Sequence, residues 1–137
     1  MDCVFCKIIA GEIPSFKLYE DEGVFVFLDI HPASKGHTLV IPKQHAENIF
    51  DITEESLKNV TAAGKHFSEK LQKALKADGI RLAPSNGKAA GQEVMHFHLH
   101  VIPRYENDGV SLSLASTPHA EQADFEELKK LQEIINQ

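Results

Sequence analysis

The chain has only two cysteines, no run of Lys or Arg, and no apolar stretch near membrane-span length. Two thiols in 137 residues cannot build a disulfide framework. A bilayer crossing takes roughly 18 or more consecutive apolar residues, so no membrane partner is expected. The opening Met1-Asp2-Cys3-Val4-Phe5-Cys6-Lys7-Ile8-Ile9 has no basic start followed by a long apolar core and does not read as a signal peptide. Together these absences fit a reducing cytoplasm. Acidic residues outnumber basic ones 20 to 14, for a net charge of −6 with His neutral. No nucleic-acid partner is expected, because duplex binding rests on phosphate neutralisation by Lys and Arg. A small anionic ligand stays open, since backbone N–H groups can hold a phosphate. There is no internal repeat and no low-complexity linker. The 42% apolar and 25% charged content suits one globular domain. That domain is expected over residues 1–137, with a core over 1–110 and a C-terminal tract and helix over 111–137.

What the chain does have is histidine, eight in all. His96-Phe97-His98-Leu99-His100-Val101-Ile102-Pro103 places three of them at alternate positions with large apolar residues between. A β-strand turns successive side chains to opposite faces, so the three would line one surface at roughly 6.5 to 7 Å intervals. Phe97, Leu99 and Val101 would point into a core. Imidazole serves near neutral pH as nucleophile, proton carrier or metal ligand. The plain alternative is a half-buried strand whose polar face happens to be His.

Hydrophobic patterning outlines the rest. Phe5, Ile8 and Ile9 mark a short turn of helix over Val4 to Ile9, broken by Gly11 and Pro14. Phe16 to Glu20 and Val24 to Leu28 read as strands joined by Asp21-Glu22-Gly23. The second of these is apolar on both faces and so central, with Asp29 at its end. His37 to Ile41 is a third strand, closed by Pro42. Thr53 caps a helix whose Leu57, Val60, Gly64, Phe67, Leu71 and Leu75 form an apolar stripe. Gly64 implies close packing, and Gly79 ends the helix. Ile80 to Ala83 and the His segment, ended by Pro103, are the fourth and fifth strands. A polar tract over Tyr105 to Pro118 precedes a last helix with Phe125, Leu128, Leu131 and Ile135 on one side. Tight turns between strands predict an α+β architecture, an antiparallel sheet with helices on one side.

Three groups carry chemistry. His98, with Nδ1–H donated to a carbonyl, would present a free Nε2 lone pair to an electrophile, and phosphorus suits it because a phosphoryl–imidazole bond is labile. The loop Ser85-Asn86-Gly87-Lys88-Ala89-Ala90-Gly91-Gln92-Glu93 has glycines that let backbone approach a phosphate. Cys3-Val4-Phe5-Cys6 has no strand before it, unlike a thioredoxin-type motif, but is half of a tetrahedral zinc site. The remaining ligands could come from His31, His37, His45 or the triple itself. His31, His66 and His119 read as solvated surface residues.

The His96–Ile102 segment resembles the signature of the histidine triad (HIT) family, His-φ-His-φ-His-φ-φ with φ apolar. Phe5-Cys6-Lys7-Ile8-Ile9 through Glu12-Ile13-Pro14, Phe27-Leu28-Asp29-Ile30, Gly36-His37-Thr38-Leu39-Val40-Ile41-Pro42-Lys43 and Gly91-Gln92 resemble its Hint branch and bacterial Hit-like nucleotide-binding hydrolases. The resemblance implies a five-stranded antiparallel sheet with two main helices, pairing into a homodimer with a continuous sheet. It implies hydrolysis or phosphoramidase activity at the α-phosphate of a purine nucleotide, releasing AMP or GMP. His98 would form the nucleotidyl–histidine intermediate. His100 would contact the phosphate and protonate the leaving group, with His96 and His37 in support. Asp29 would hold the ribose. Phe5, Ile8, Ile13, Phe27, Leu28 and Ile30 would form the base pocket. Asn86, Gly91, Gln92 and Glu93 would hold the phosphate. By analogy with relatives that carry Cys-x2-Cys, Cys3, Cys6, His45 and His96 would bind a structural zinc.

Glu93 departs from the pattern, standing where Hint-branch proteins often carry a small hydroxyl residue. Two other readings differ in class. One is a metalloenzyme whose three His hold a catalytic zinc. The other is a non-catalytic nucleotide sensor or partner-binding module.

Overall fold

The computed structural model describes residues 2–110 and 122–137. His119 and most of the tract to Pro118 lie outside the described residues. Elements follow in the order α1 (Val4–Ile9), β1 (Lys17–Glu20), β2 (Val24–Leu28), β3 (Thr38–Pro42), α2 (Glu54–Leu75), β4 (Gly79–Pro84), a 3-10 turn (Lys88–Ala90), β5 (Leu99–Arg104) and α3 (Phe125–Ile135). The strands form one five-stranded sheet in the order β1-β2-β3-β5-β4. All four pairings are antiparallel, which is the expected α+β fold with two main helices.

The alternation of side chains splits the sheet into two faces. Val24, Val26, Leu28, Val40, Leu99 and Val101 join Val60, Phe67 and Leu71 of α2 and Leu128, Leu131 and Ile135 of α3 in the main core. Phe25, Phe27, Leu39 and Ile41 lie on the opposite face, where Cys3 and Phe5 at the α1 end cover only part of it. That half-covered face is where the site forms. Helix α2 begins as its sequence dictates, with the Thr53 hydroxyl accepting Ser56 N–H at 3.1 Å and Glu54 and Glu55 in the first turn. A Cβ at Gly64 would stand 2.6 Å from Leu99 Cδ2, which is the close packing expected there. Among the described residues no helix is long and apolar enough to cross a membrane.

Three expectations need correction. Gly79 does not end α2. The helix stops at Leu75 and Lys76 takes the left-handed turn at φ 53°. Gly79 is needed further on, where it pairs with Arg104 as the first residue of β4. Pro103 does not end β5, which runs on to Arg104. Its carbonyl accepts from Ser34 Oγ on the side where β3 has already finished, so its missing N–H leaves no ladder bond unmade. His96 and His98 precede the regular strand, which begins at Leu99. The segment is tied down otherwise, through Phe97 N–H to the Ala46 carbonyl at 2.7 Å.

Candidate active site

Strand register builds the floor of a cavity. Phe27 pairs with Leu39, Leu39 with His100, and His100 with Ala83, a row running across four strands. Over this row lies a cavity of about 610 Å³. Its apolar end is lined by Phe5 and Ile8 of α1, by Ile13, and by Phe27, Leu28 and Ile30. Asp29, His37, His98 and His100 line it further along, and Arg81, Ile102, Arg104 and Val110 line its β4–β5 end.

The imidazole tautomers follow from backbone groups whose roles are unambiguous. Ala33 N–H donates to His37 Nδ1 at 2.9 Å, so the His37 proton is on Nε2. That Nε2–H then donates to His100 Nδ1 at 2.9 Å, which leaves the His100 proton on Nε2. His98 Nδ1–H donates to the His96 carbonyl at 2.7 Å. Its Nε2 therefore carries a lone pair and bonds no described residue. All three rings are held neutral. Burial, with the neighbouring His100 and His98, brings His37 down to about 3. Burial takes His100 to about 4 and lowers His98 too. Asp29 Oδ2 lies 3.6 Å from His37 Nε2, but with His37 neutral this is not an ion pair. Burial raises the Asp29 carboxyl against a 2.8 Å bond from His31 N–H to its Oδ1. Phe5 packs edge-on against both His98 and His96, at centroid distances of 5.3 and 5.9 Å.

His96 faces a second cluster. Its Nε2–H donates to the Pro42 carbonyl at 2.8 Å, so its Nδ1 is the free lone pair. That Nδ1 lies 3.3 Å from Cys3 Sγ, 3.6 Å from Cys6 Sγ and 3.1 Å from His45 Nδ1. Cys6 Sγ is 3.3 Å from His45 Nδ1. The four ligand atoms all lie within 4.8 Å of one another. A tetrahedron built on usual zinc bond lengths has N···N and S···N edges of about 3.4 and 3.6 Å. The donor set Cys2His2 and these edges fit zinc. The metal would be held by Cys3, Cys6, His45 and His96 and would tie α1 to the His segment.

Not every expected ligand reaches the cavity. Phe5, Ile8, Ile13, Phe27, Leu28, Asp29, Ile30, Gly91 and Glu93 line it, as do His37, His98 and His100. Asn86 does not; its Oδ1 accepts Ile49 N–H at 2.8 Å and pins one loop to another. Gln92 does not either. It is buried, with Oε1 taking Gly87 N–H at 2.7 Å and Nε2 donating to the Glu47 and Val94 carbonyls at 2.5 and 3.0 Å. A catalytic zinc held by the three triad histidines is not built, because His96 Nδ1 faces the thiols while His98 Nδ1 is bonded to a carbonyl. His66 is exposed, and His31 is exposed on the cavity rim. Arg81 and Arg104 were not singled out from sequence. Their one signal was alternation, since Arg81 pairs with Ile102 and both face the cavity.

A HIT domain family model matches residues 10–107. The chain is 44% identical over 129 residues to the adenosine 5′-monophosphoramidase HNT1 of Saccharomyces cerevisiae, covering 94% of this chain and 77% of that protein. It is similar to the crystal structure of a Hit-like protein from Bartonella henselae, with TM-score 0.88, 38% identity, and 98% and 94% of the two chains covered. A zinc-bound histidine triad family protein from Mycobacterium smegmatis matches with TM-score 0.84 and 36% identity, over 99% of this chain and 91% of that one. Matched by that model across its sheet and triad, and by relatives of this identity along nearly its whole length, the chain belongs to the HIT domain family.

Proposed function

We propose that the chain is a purine nucleotide hydrolase, a phosphoramidase that cleaves at the α-phosphate and releases a nucleoside monophosphate. The observation that carries this reading is the His98 tautomer, Nδ1–H on a carbonyl and Nε2 bare at the cavity wall. The base lies among Phe5, Ile8, Ile13, Phe27 and Ile30, and Asp29 accepts from the ribose hydroxyls. His98 Nε2 attacks phosphorus, forming a P–N bond as the bond to the leaving group breaks. The leaving atom keeps that electron pair and takes a proton from solvent, while His100 Nε2–H, too weak an acid in its neutral form to give that proton up, donates a hydrogen bond to the phosphate. The negative charge of the phosphate balances the positive charge that forms on the His98 ring, 4.9 Å from His100 between centroids. Water then attacks phosphorus, loses a proton to solvent, and the bonding pair returns to His98.

Two features support the reading from outside the triad. Neutral imidazole is the nucleophilic form, and burial keeps it so. The yeast relative is named for phosphoramidase activity. A structural zinc on Cys3, Cys6, His45 and His96 would brace α1, which walls the base pocket, and would take no part in bond cleavage. Homodimerisation through a continuous sheet would need an edge strand, and β4 is one, with Leu82 exposed on it.

The test is incubation with an adenosine 5′-phosphoramidate, acid quench and mass mapping. Adenylation should map to His98, and His98→Ala should cut kcat by about 10³-fold or more while AMP affinity is kept. AMP binding with no trapped adduct and no turnover by the native chain would mark a sensor or binding module instead.

A further inference from the structure

Glu93 is a carboxylate of the cavity to which no ribose-binding role falls, and its backbone is anchored on both sides. Before it, Gln92 is buried and holds three backbone groups through its amide, and its own N–H donates to the Gly87 carbonyl at 3.1 Å. After it, His96 is bonded to Pro42 and faces the thiol cluster. Between these anchors Glu93 lines the cavity alongside His98 and Asp29, and its negative charge is felt by both. Among the described residues Glu93 makes no ion pair. The Arg104 guanidinium at the far end is already balanced, by Asp108 at 2.9 and 3.0 Å and the Val110 carbonyl at 2.7 Å. Arg81, the other guanidinium of the lining, stands with Arg104 at the β4–β5 end, so the groups around His98 are two carboxylates, Asp29 and Glu93, and the neutral imidazoles.

We propose that Glu93 is a charge filter at the phosphorus end of the cavity. It disfavours ligands that bring more than one negative charge there. It directs the site toward monoanionic α-phosphate derivatives with amine leaving groups and away from di- and polyphosphates. The same repulsion speeds release of the monophosphate product, whose phosphate gains a second ionised oxygen on hydrolysis. The inference rests on the hydrolase reading for its substrate preference, but its binding consequence does not need turnover. Unit charges about 7 Å apart in a partly wet site interact strongly enough to change an equilibrium about tenfold.

The experiment measures AMP and adenosine affinities by calorimetry for the native chain, Glu93→Gln and Glu93→Lys. It also measures kcat/KM for an adenosine phosphoramidate of a cationic amine and for ADP. Expected is an approximately tenfold tightening of AMP in Glu93→Gln and more in Glu93→Lys, with adenosine unchanged. The phosphoramidate-to-ADP ratio of kcat/KM should fall about tenfold in Glu93→Gln. The effect should shrink at high salt, because the carboxylate is exposed. An AMP-to-adenosine affinity ratio unchanged in both variants overturns the filter. If that ratio moves but the native chain turns over neither substrate, the hydrolase reading fails and the filter stands.

Discussion

Acid should loosen this fold before its carboxylates are protonated. His37 and His100 are kept neutral by burial, with pKa values of about 3 and about 4. An unfolded chain protonates the same rings near 6.5. Between those values the unfolded state binds more protons, so stability falls as pH falls through the window. Above about pH 6.5 both states hold neutral rings and the contribution is flat. At pH 5.5 each ring costs about 1.4 kcal/mol, and the pair removes about 2 to 3 kcal/mol of a total usually near 5 to 15. His98, also lowered by burial, adds in the same direction. Carboxylates enter only at lower pH: Lys17 and Lys43 hold Glu20 at about 2, and burial raises Asp29, which opposes the trend. A metal held by His45 and His96 would compete with protons for those two rings. Urea unfolding with zinc supplied, at pH 7.5, 6.5 and 5.5, reads the loss directly. Ring titration by heteronuclear NMR reads the cause, and neither His37 nor His100 should titrate above pH 5. A ring that titrates near 6.5 in the folded protein, or stability unchanged down to pH 5.5, refutes the neutral pair.

Other perturbations probe the scaffold. Gly64→Val drives a side chain into Leu99, 2.6 Å from where the Cβ would stand, and should lower unfolding free energy by about 2 kcal/mol in urea titrations. Cys3→Ser removes one of the four candidate ligand atoms, so with zinc supplied native mass spectrometry should show one metal ion on the native chain and none on the variant. Asn86→Ala strips the acceptor from Ile49 N–H and should cost about 1 kcal/mol of stability, with AMP affinity unchanged because the residue lies off the cavity.

The sequence made the sheet and its core face legible because local alternation carries both. Val24 to Leu28 matched residue for residue, since five consecutive apolar residues between polar turns leave little else for a chain to do. Phe97, Leu99 and Val101 went to the core as their spacing required. Errors arose where partners are distant along the chain. Asn86 and Gln92 look like phosphate ligands beside a glycine loop, yet their partners Ile49 and Glu47 stand 37 and 45 residues upstream. Gly79 resembled a helix stop, but the demand of β4 for pairing with Arg104 outweighed the preference of Gly for a left-handed turn, which fell to Lys76. The break in strand geometry before Leu99 had no local sign at all. The partners of this stretch are again distant, since His96 contacts Cys3, 93 residues away, and Phe97 N–H donates to the Ala46 carbonyl.

Three histidines on one short segment serve three separate purposes, and His96 connects them. Its ring gives Nε2–H to Pro42 and turns Nδ1 to the thiols, while its backbone carbonyl takes the Nδ1–H of His98. The group that anchors the segment therefore also selects the tautomer of the next imidazole. His100 receives its orientation from the other direction, through His37 and ultimately the Ala33 amide. The orientation of each ring is set by a backbone dipole, directly for His98 and through His37 for His100. Had the triad been spaced at three and four residues on a helix, the carbonyls would have been consumed by the helix ladder. The irregular stretch before Leu99 is what frees the His96 carbonyl to face the His98 ring, so the break in the strand is part of the site's construction.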